Sequence, residues 1–393
     1  MTLEEKAMDY LLTDTQKEIV ALTRQIAEGE IVPVRGKLDR DDIFPRDILK
    51  TMGDAGLMGV FIPEEYGGLG GSMMDLCLVT EELSRACLGV STSYGAIALG
   101  TLPVLISGDE AMKQQVLPKV ATGEWIAAFC LTEAEAGSDA FGMRTRAVKD
   151  GNEYVLNGTK QWISNGGEAD FYTVIAMTDP SRGPRGASAF LVEADRPGLS
   201  FGKREDKMGI RASSTREVIF DNVRIPEANR IGREGTGFVV TMRTLERARV
   251  AVGAQGVGLA AGALEAAITY AKERKQFGKP IASFQAVGHL LADMAVRVES
   301  ARALLYAVAR HIDSGASEFA MESSMIKVLG SDVAMSVAVD AVQVFGGYGY
   351  MKEYPVEKML RDAKILQIYE GTNQIQRNEI AQALIKRSSR AGS

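Results

Sequence analysis

The residue types best suited to chemistry sit in a few short strings. Tyr369-Glu370-Gly371-Thr372-Asn373-Gln374 sets a carboxylate before a glycine and the start of a helix, with Asn373 and Gln376 at capping spacing. Glu370 can act there as a general base or simply as a favourable acid at a helix N-terminus. Leu131-Thr132-Glu133, followed by Ala136-Gly137-Ser138-Asp139, gathers hydroxyls around a flexible glycine. Such a segment can hold a phosphate or the polar edge of a ring cofactor, or form an ordinary turn. Gln161-Trp162-Ile163-Ser164-Asn165-Gly166 sets an indole beside hydroxyl and amide groups, although Trp serves a core as readily as a cofactor. Arg274-Lys275-Gln276-Phe277-Gly278-Lys279 is a basic turn suited to a phosphate or to solvent. Gln343 to Tyr350 ends a helix with three glycines and two tyrosines, where backbone can approach a flat ring closely.

Two further matches carry less. Gly256-Val257-Gly258-Leu259-Ala260-Ala261 satisfies G-x-G-x-x-A, but a dinucleotide site needs a strand before it, and Val240 to Val252 reads as helix. Ser324-Met325-Ile326-Lys327 satisfies S-x-x-K but lies mid-helix without its companion motifs, so it reads as ordinary helix. The two histidines, His289 and His311, leave little room for zinc or histidine-relay hydrolysis and hand acid–base work to a carboxylate. A net charge of −6 argues against nucleic acid as a partner. Cys77, Cys87 and Cys130 have no C-x-x-C spacing, which predicts no disulfide and no structural zinc.

These strings must be positioned by larger elements, and 393 residues allow two or three domains. Thr13-Asp14-Thr15-Gln16 has capping-box spacing, and Ile19, Leu22 and Ile26 recur at helical intervals. Helical character continues around 46–55, 74–87, 91–106 and 109–121. From Trp125 to Gly237 short β-branched and aromatic runs alternate with Asp-Gly and Asn-Gly punctuation. A hairpin is predicted over 146–156, with another turn at Asn157-Gly158, and strands over 171–177, 189–193 and 217–220. Long helices then resume at about 238–274, with a weak point among its glycines, and at 283–313, 317–345, 355–366 and from Asn373. The closing RSSRAGS reads as disordered. Ala86 to Gly108 lacks any charge, but its Pro103, glycines and hydroxyls favour buried helix over a membrane span. The opening MTLEEKAMDY has neither signal-peptide nor transit-peptide character, so a cytoplasmic protein is expected, or a mitochondrial-matrix protein had a transit segment been removed.

Jointly and in order, FIPEEYGGLGG, LTEAEAGSD, LNGTKQWISNGGEADFY, KMGIRASST, ERKQFGKPIASFQ, QVFGGYGY and IYEGTNQIQ resemble the acyl-CoA dehydrogenase family, medium- and short-chain type, across residues 61–376. The resemblance implies an α+β multidomain fold: an N-terminal all-α domain (1–124), a central β-barrel-like domain (125–237) and a C-terminal four-helix bundle (238–393). It further implies FAD, an acyl-CoA substrate, a homotetramer and an electron-transferring flavoprotein as acceptor. By that resemblance Phe129, Cys130, Leu131, Thr132, Ser138, Trp162, Ile163 and Ser164 contact the flavin, with Thr372 and Gln374 completing its site. Arg274, Phe277, Gln285, Gln343, Gly346 and Gly347 match contacts to the adenine and pyrophosphate half of a neighbouring subunit's FAD.

Glu370 matches the family's base, which removes the C2 proton while a hydride leaves C3 for flavin N5, giving the trans-2-enoyl-CoA. The base of some members lies on an earlier helix, at a position occupied here by Ala248. Ser138, Glu246, Arg249 and Gly371 are the implied substrate contacts, although the family usually has Asp where Glu246 stands. Ser91 replaces the arginine that meets a distal carboxylate in glutaryl-CoA members, which implies an apolar acyl tail. Gly95 replaces a larger polar side chain at the pocket floor, which implies a deeper or wider cavity for a short or medium, branched or alicyclic acyl group. The competing expectations are an acyl-CoA oxidase or flavin monooxygenase on the same fold, and a helical assembly module that has lost its cofactor.

Overall fold

The computed structural model describes residues 10–391. Six helices come first: α1 (Asp14–Ile26), α2 (Arg35–Arg40), α3 (Arg46–Asp54), α4 (Met73–Ala86), α5 (Leu88–Ser107) and α6 (Glu110–Ala121). Thr13 caps α1 as its spacing predicts: its hydroxyl accepts from the Gln16 N–H, and the Gln16 side chain accepts from the Thr13 N–H. The uncharged stretch forms α5, whose burial on nearly every face explains its lack of an amphipathic pattern.

Eight strands follow: β1 (Ala127–Cys130), β2 (Arg146–Asp150), β3 (Glu153–Ser164), β4 (Phe171–Met177), β5 (Ala187–Glu193), β6 (Leu199–Phe201), β7 (Thr215–Pro226) and β8 (Arg230–Ile231). Their order is β6-β7-β3-β2-β4-β5-β8, with β1 laid parallel to β4, Ala127 opposite Phe171. The hairpin forms as expected, Asp150 pairing with Glu153. Asn157-Gly158 makes no second turn; β3 runs on through it with a register shift against β7, because the ladder resumes on the far side at Gly158↔Phe220. A second shift between Lys160 and Ile163 throws Gln161 and Trp162 out of the ladder.

The last part comprises α7 (Gly237–Glu273), a ribbon of β9 (Lys275–Gln276) and β10 (Lys279–Pro280), α8 (Gln285–Asp313), α9 (Ala320–Phe345), α10 (Pro355–Ala363) and α11 (Asn373–Ala391). α7 is one unbroken helix, contrary to the weak point expected among its glycines. Those glycines are contact surface: a Cβ at Gly258 would lie 2.1 Å from the Glu81 carbonyl of α4, and one at Gly256 would lie 2.4 Å from Gly330 of α9. Close packing of α4, α7 and α9 outweighs the low helix propensity of glycine. The G-x-G-x-x-A string thus lies inside a helix. The expected disorder of RSSRAGS is also overturned, since α11 continues to Ala391; Gly392 and Ser393 lie outside the described residues.

Among the described residues three helical stretches are long and apolar enough to cross a membrane: α5, α7 and Ala320–Tyr350. In α5 and α7, 78% of the apolar window is covered by the rest of the protein, so packing already consumes that surface.

Candidate active site

A cavity of about 420 Å³ opens where the end of the sheet meets α5, α7 and the turn before α11. Strand β1 delivers Phe129 to its wall, and the segment after it delivers Leu131, Thr132 and Ser138. The irregularity in β3 delivers Trp162, Ile163 and Ser164. Trp162 has φ +55° and is 58% exposed, an unusual state for an indole on a strand. Asn165 ties the neighbouring elements together, its amide donating to the carbonyls of Ser93 (3.0 Å) on α5 and Ala127 (3.1 Å) on β1.

Behind the Leu131–Thr132 edge lies a buried ion pair. Lys160 donates to Glu133 Oε1 at 2.9 Å and to the Leu131 carbonyl at 2.8 Å. Glu133 also accepts from the backbone N–H groups of Arg144 (2.6 Å) and Thr145 (2.9 Å). Burial opposes ionisation of both partners and depresses the Lys160 ammonium, while Lys160 and the 144–145 donors hold the Glu133 carboxyl below its usual range.

On the opposite wall the chain makes a left-handed turn at Glu370 (φ +52°) and Gly371 (φ +89°). A Cβ at Gly371 would lie 2.5 Å from Gln376 Nε2, the end of a flexible side chain, so it is the positive φ rather than space that calls for glycine there. Gln376 Nε2 donates to the carbonyls of Glu370 and Gly371, both at 3.1 Å. Lys327 Nζ, fully buried, donates to the Gly371 carbonyl at 2.8 Å and to Asn373 Oδ1 at 2.9 Å.

Glu370 lines the cavity, and its Oε2 is buried with no hydrogen-bond partner. Part of the residue stays open, but that oxygen is sealed, and burial pushes the carboxyl up to about 7 while the Arg249 and Lys327 charges pull it back. Arg249 lines the same wall at 3% exposure, with Nε and Nη1 unpartnered. Buried unpaired polar atoms are costly, and their concentration on one cavity wall is what a ligand-binding site requires.

The structure brings Phe129, Leu131, Thr132, Ser138, Trp162, Ile163, Ser164, Gly95, Arg249, Glu370 and Gly371 to this cavity. It does not bring Ser91 there: the Ser91 hydroxyl is turned to Ser84 Oγ (2.7 Å) and the Thr80 carbonyl (3.3 Å) inside the α4–α5 contact. Cys130 is wholly buried on β1, and Glu246, half-buried on α7, stands off the wall. Thr372 and Gln374 are likewise off the wall, Thr372 accepting from the Ile375 N–H at 3.3 Å as a cap. At Gly95 a Cβ would lie 3.3 Å from Gln255 Nε2, so the Gln255 amide borders the space beside this glycine on the cavity wall.

Gln255, whose Oε1 accepts from the Tyr369 hydroxyl, escaped the sequence reading. Its signal was present: between Arg249 and Glu265 it is the sole polar side chain in an Ala/Gly/Val/Leu run. Lys327 belongs to the S-x-x-K string, which reads as ordinary helix.

Arg274, Gly346 and Gly347 line a separate cavity of about 470 Å³ with Tyr270, Phe345 and Tyr348. The Arg274 guanidinium lies 5.1 Å from the Tyr348 ring centroid, and Tyr270 stacks on Phe345 at 4.1 Å. Phe277 is 92% exposed with φ +53°, and Gln285 and Gln343 are exposed. No residue lines both cavities, so one chain does not unite this patch with the Glu370 site.

The acyl-CoA dehydrogenase N-terminal, middle and C-terminal domain families match residues 13–124, 128–223 and 235–385. A probable acyl-CoA dehydrogenase of Mycobacterium tuberculosis is 47% identical over 377 residues, covering 96% of this chain and 97% of that protein. A solved chain from work on the electron transferring flavoprotein of Acidaminococcus fermentans is 45% identical with TM-score 0.94, covering 96% of this chain and 99% of that one. The butyryl-CoA dehydrogenase structure from Megasphaera elsdenii is 42% identical with TM-score 0.94, covering 96% and 100%.

Proposed function

The chain belongs to the acyl-CoA dehydrogenase family of FAD-dependent oxidoreductases, and from that premise we propose that Glu370 is the base that removes the C2 proton of a short acyl-CoA thioester. The observation that carries this reading is the unpartnered, buried Glu370 Oε2 on the cavity wall. A carboxylate with ordinary acidity is a weak base; one raised to about 7 by burial is matched to proton abstraction near neutrality. The unpartnered Arg249 guanidinium lies close enough to limit that rise electrostatically, so the carboxylate remains available. The Glu370 N–H is the natural donor for a thioester carbonyl gaining negative charge, because turn and base then move as one unit.

The residues present fit FAD. An exposed indole on the cavity wall beside the backbone of Leu131 to Thr132 offers a flat ring a face and hydrogen-bonding groups. In our reading Phe129, Leu131, Thr132, Ser138, Trp162, Ile163 and Ser164 hold the flavin, with Cys130 contributing backbone. Bound FAD supplies the acceptor for the hydride that leaves C3. Thr372 and Gln374 would reach it from the start of α11. Arg274, Phe277, Gln285, Gln343, Gly346 and Gly347 would serve the FAD of another copy in a homotetramer, an arrangement supported by the separate cavity that Arg274, Gly346 and Gly347 line.

The acyl tail would be apolar, since α5 and α7 face the cavity with Ala96, Leu99, Ala251 and Val252. Gln255 opposite Gly95 favours the short end of the range, as does the likeness to a butyryl-CoA dehydrogenase. Electron transfer onward to an electron-transferring flavoprotein is supported by the likeness to a chain from work on such a partner. Anaerobic bleaching of the bound flavin across straight, branched and cyclic acyl-CoAs tests the reading. Fastest bleaching by a four- to six-carbon thioester is expected; bleaching by none of them would refute it.

A further inference from the structure

The lysine of the Ser324-Met325-Ile326-Lys327 string lies at the centre of a polar network beneath the catalytic turn. Its Nζ sits 2.8 Å from the Gly371 carbonyl and 2.9 Å from Asn373 Oδ1. Asn373 in turn donates to Ser331 Oγ (2.9 Å) and Asp332 Oδ1 (2.9 Å), and Gln367 and Arg377 bind Asp332. The turn above spends two consecutive residues in left-handed backbone, the first a non-glycine, and such a conformation persists only where its surroundings impose it. Gln376 holds it from within α11, whereas Lys327 is the contact that ties it to the bundle helix α9.

We propose that Lys327 is a positioning residue for the reaction: by fastening Gly371 and Asn373 to α9 it fixes the direction of the Glu370 carboxylate and of the Glu370 N–H. This rests on Glu370 being the base. As an ammonium donating to two acceptors, Lys327 has no lone pair for the acylation chemistry that S-x-x-K performs elsewhere. Its ammonium also adds one of the two positive charges near Glu370; Arg249 on α7 is the other. The remaining charged groups around the turn are Glu379 on α11, which lines the cavity, Glu246 on α7, and Asp332 and Arg377 beyond Asn373.

The test uses the FAD-loaded full chain with Lys327→Met, Lys327→Gln and, in parallel, Glu370→Gln. FAD content, steady-state kcat and KM, the pH profile of kcat and exchange of the substrate C2 proton with deuterated water are measured. For Lys327→Met we expect full FAD content, kcat and C2 exchange down roughly 10²-fold, and KM within about threefold. The acid limb of kcat should rise by about one pH unit, because removing a nearby positive charge disfavours the carboxylate. Lys327→Gln should recover roughly tenfold in kcat by donating again to the Gly371 carbonyl, yet retain the shifted limb. A structural role alone would lower FAD content and leave the limb in place.

Parent-like kcat and pH profile in both Lys327 variants would overturn the proposal, as would activity that merely tracks lost FAD. If Lys327→Met does not fold, Lys327→Gln decides by its limb; if neither holds FAD, the contact is structural and the proposal fails. Retained activity in Glu370→Gln would instead refute the base, whatever the Lys327 variants do.

Discussion

Two buried acid–cation clusters flank the same cavity, Glu133–Lys160 behind its wall and Glu370–Arg249 on it, and they are finished differently. At Glu133–Lys160 each carboxylate oxygen and the ammonium have partners within the chain. At Glu370–Arg249 one carboxyl oxygen and two guanidinium nitrogens have none. Burial acts on both clusters, but local donors hold the Glu133 carboxyl down while the Glu370 carboxyl rises to about 7. A satisfied cluster holds the fold; an unsatisfied one keeps its capacity for a ligand.

The sharpest way to break this contrast is to neutralise each acid's role. Glu370→Gln should lose about 10²–10⁴-fold in acyl-CoA dehydrogenation with an artificial acceptor while retaining bound FAD, checked by absorbance. Lys160→Met leaves Glu133 buried and unpaired, and should cost about 3–5 kcal/mol of stability in denaturant unfolding, with lost FAD as its route to lost activity. Charge dependence gives a third contrast. The folded pKa of Glu370 lies above its unfolded value, so its protonated form favours the fold and stability falls as pH rises from about 4.5 to about 7. Glu370→Gln should therefore be more stable than the parent by about 3 kcal/mol at pH 8, the difference disappearing below about pH 5 in thermal melts. Glu133, held low, contributes stability in the opposite sense, present above its unfolded value and lost on acidification. The smallest effect belongs to the pocket floor: Gly95→Ala brings a Cβ within 3.3 Å of Gln255 Nε2. It should lower kcat/KM for a six-carbon thioester roughly tenfold and leave a four-carbon one nearly unchanged.

Much of this arrangement was legible in the chain. The capping box at Thr13, the hairpin at 146–156 and the strand 171–177 follow local rules, and local rules hold where no tertiary contact opposes them. The strings that carry the family resemblance include Leu131, Thr132, Ser138, Trp162 to Ser164 and Glu370 on the cavity wall, but none of the residues that α5 and α7 contribute to it. Legibility failed where side chains act over long separations. Asn157-Gly158 looks like a turn until β7 supplies its ladder. Ser91 looks available until Ser84 and the Thr80 carbonyl claim its hydroxyl. Nothing near Gly95 in the chain reveals that Gln255, 160 residues further along, is its neighbour across the pocket.

The sequence by itself determined the order of helical and strand-rich segments, the reliance on a carboxylate in a chain with two histidines, and the family, because composition, period and ordered motifs are properties of neighbouring residues. Only the tertiary structure decided which polar atoms would be left without partners. Hydrogen-bond satisfaction is a property of atoms brought together from distant parts of the chain, and no local pattern reveals that Lys160 is fully engaged while Glu370 Oε2 is free.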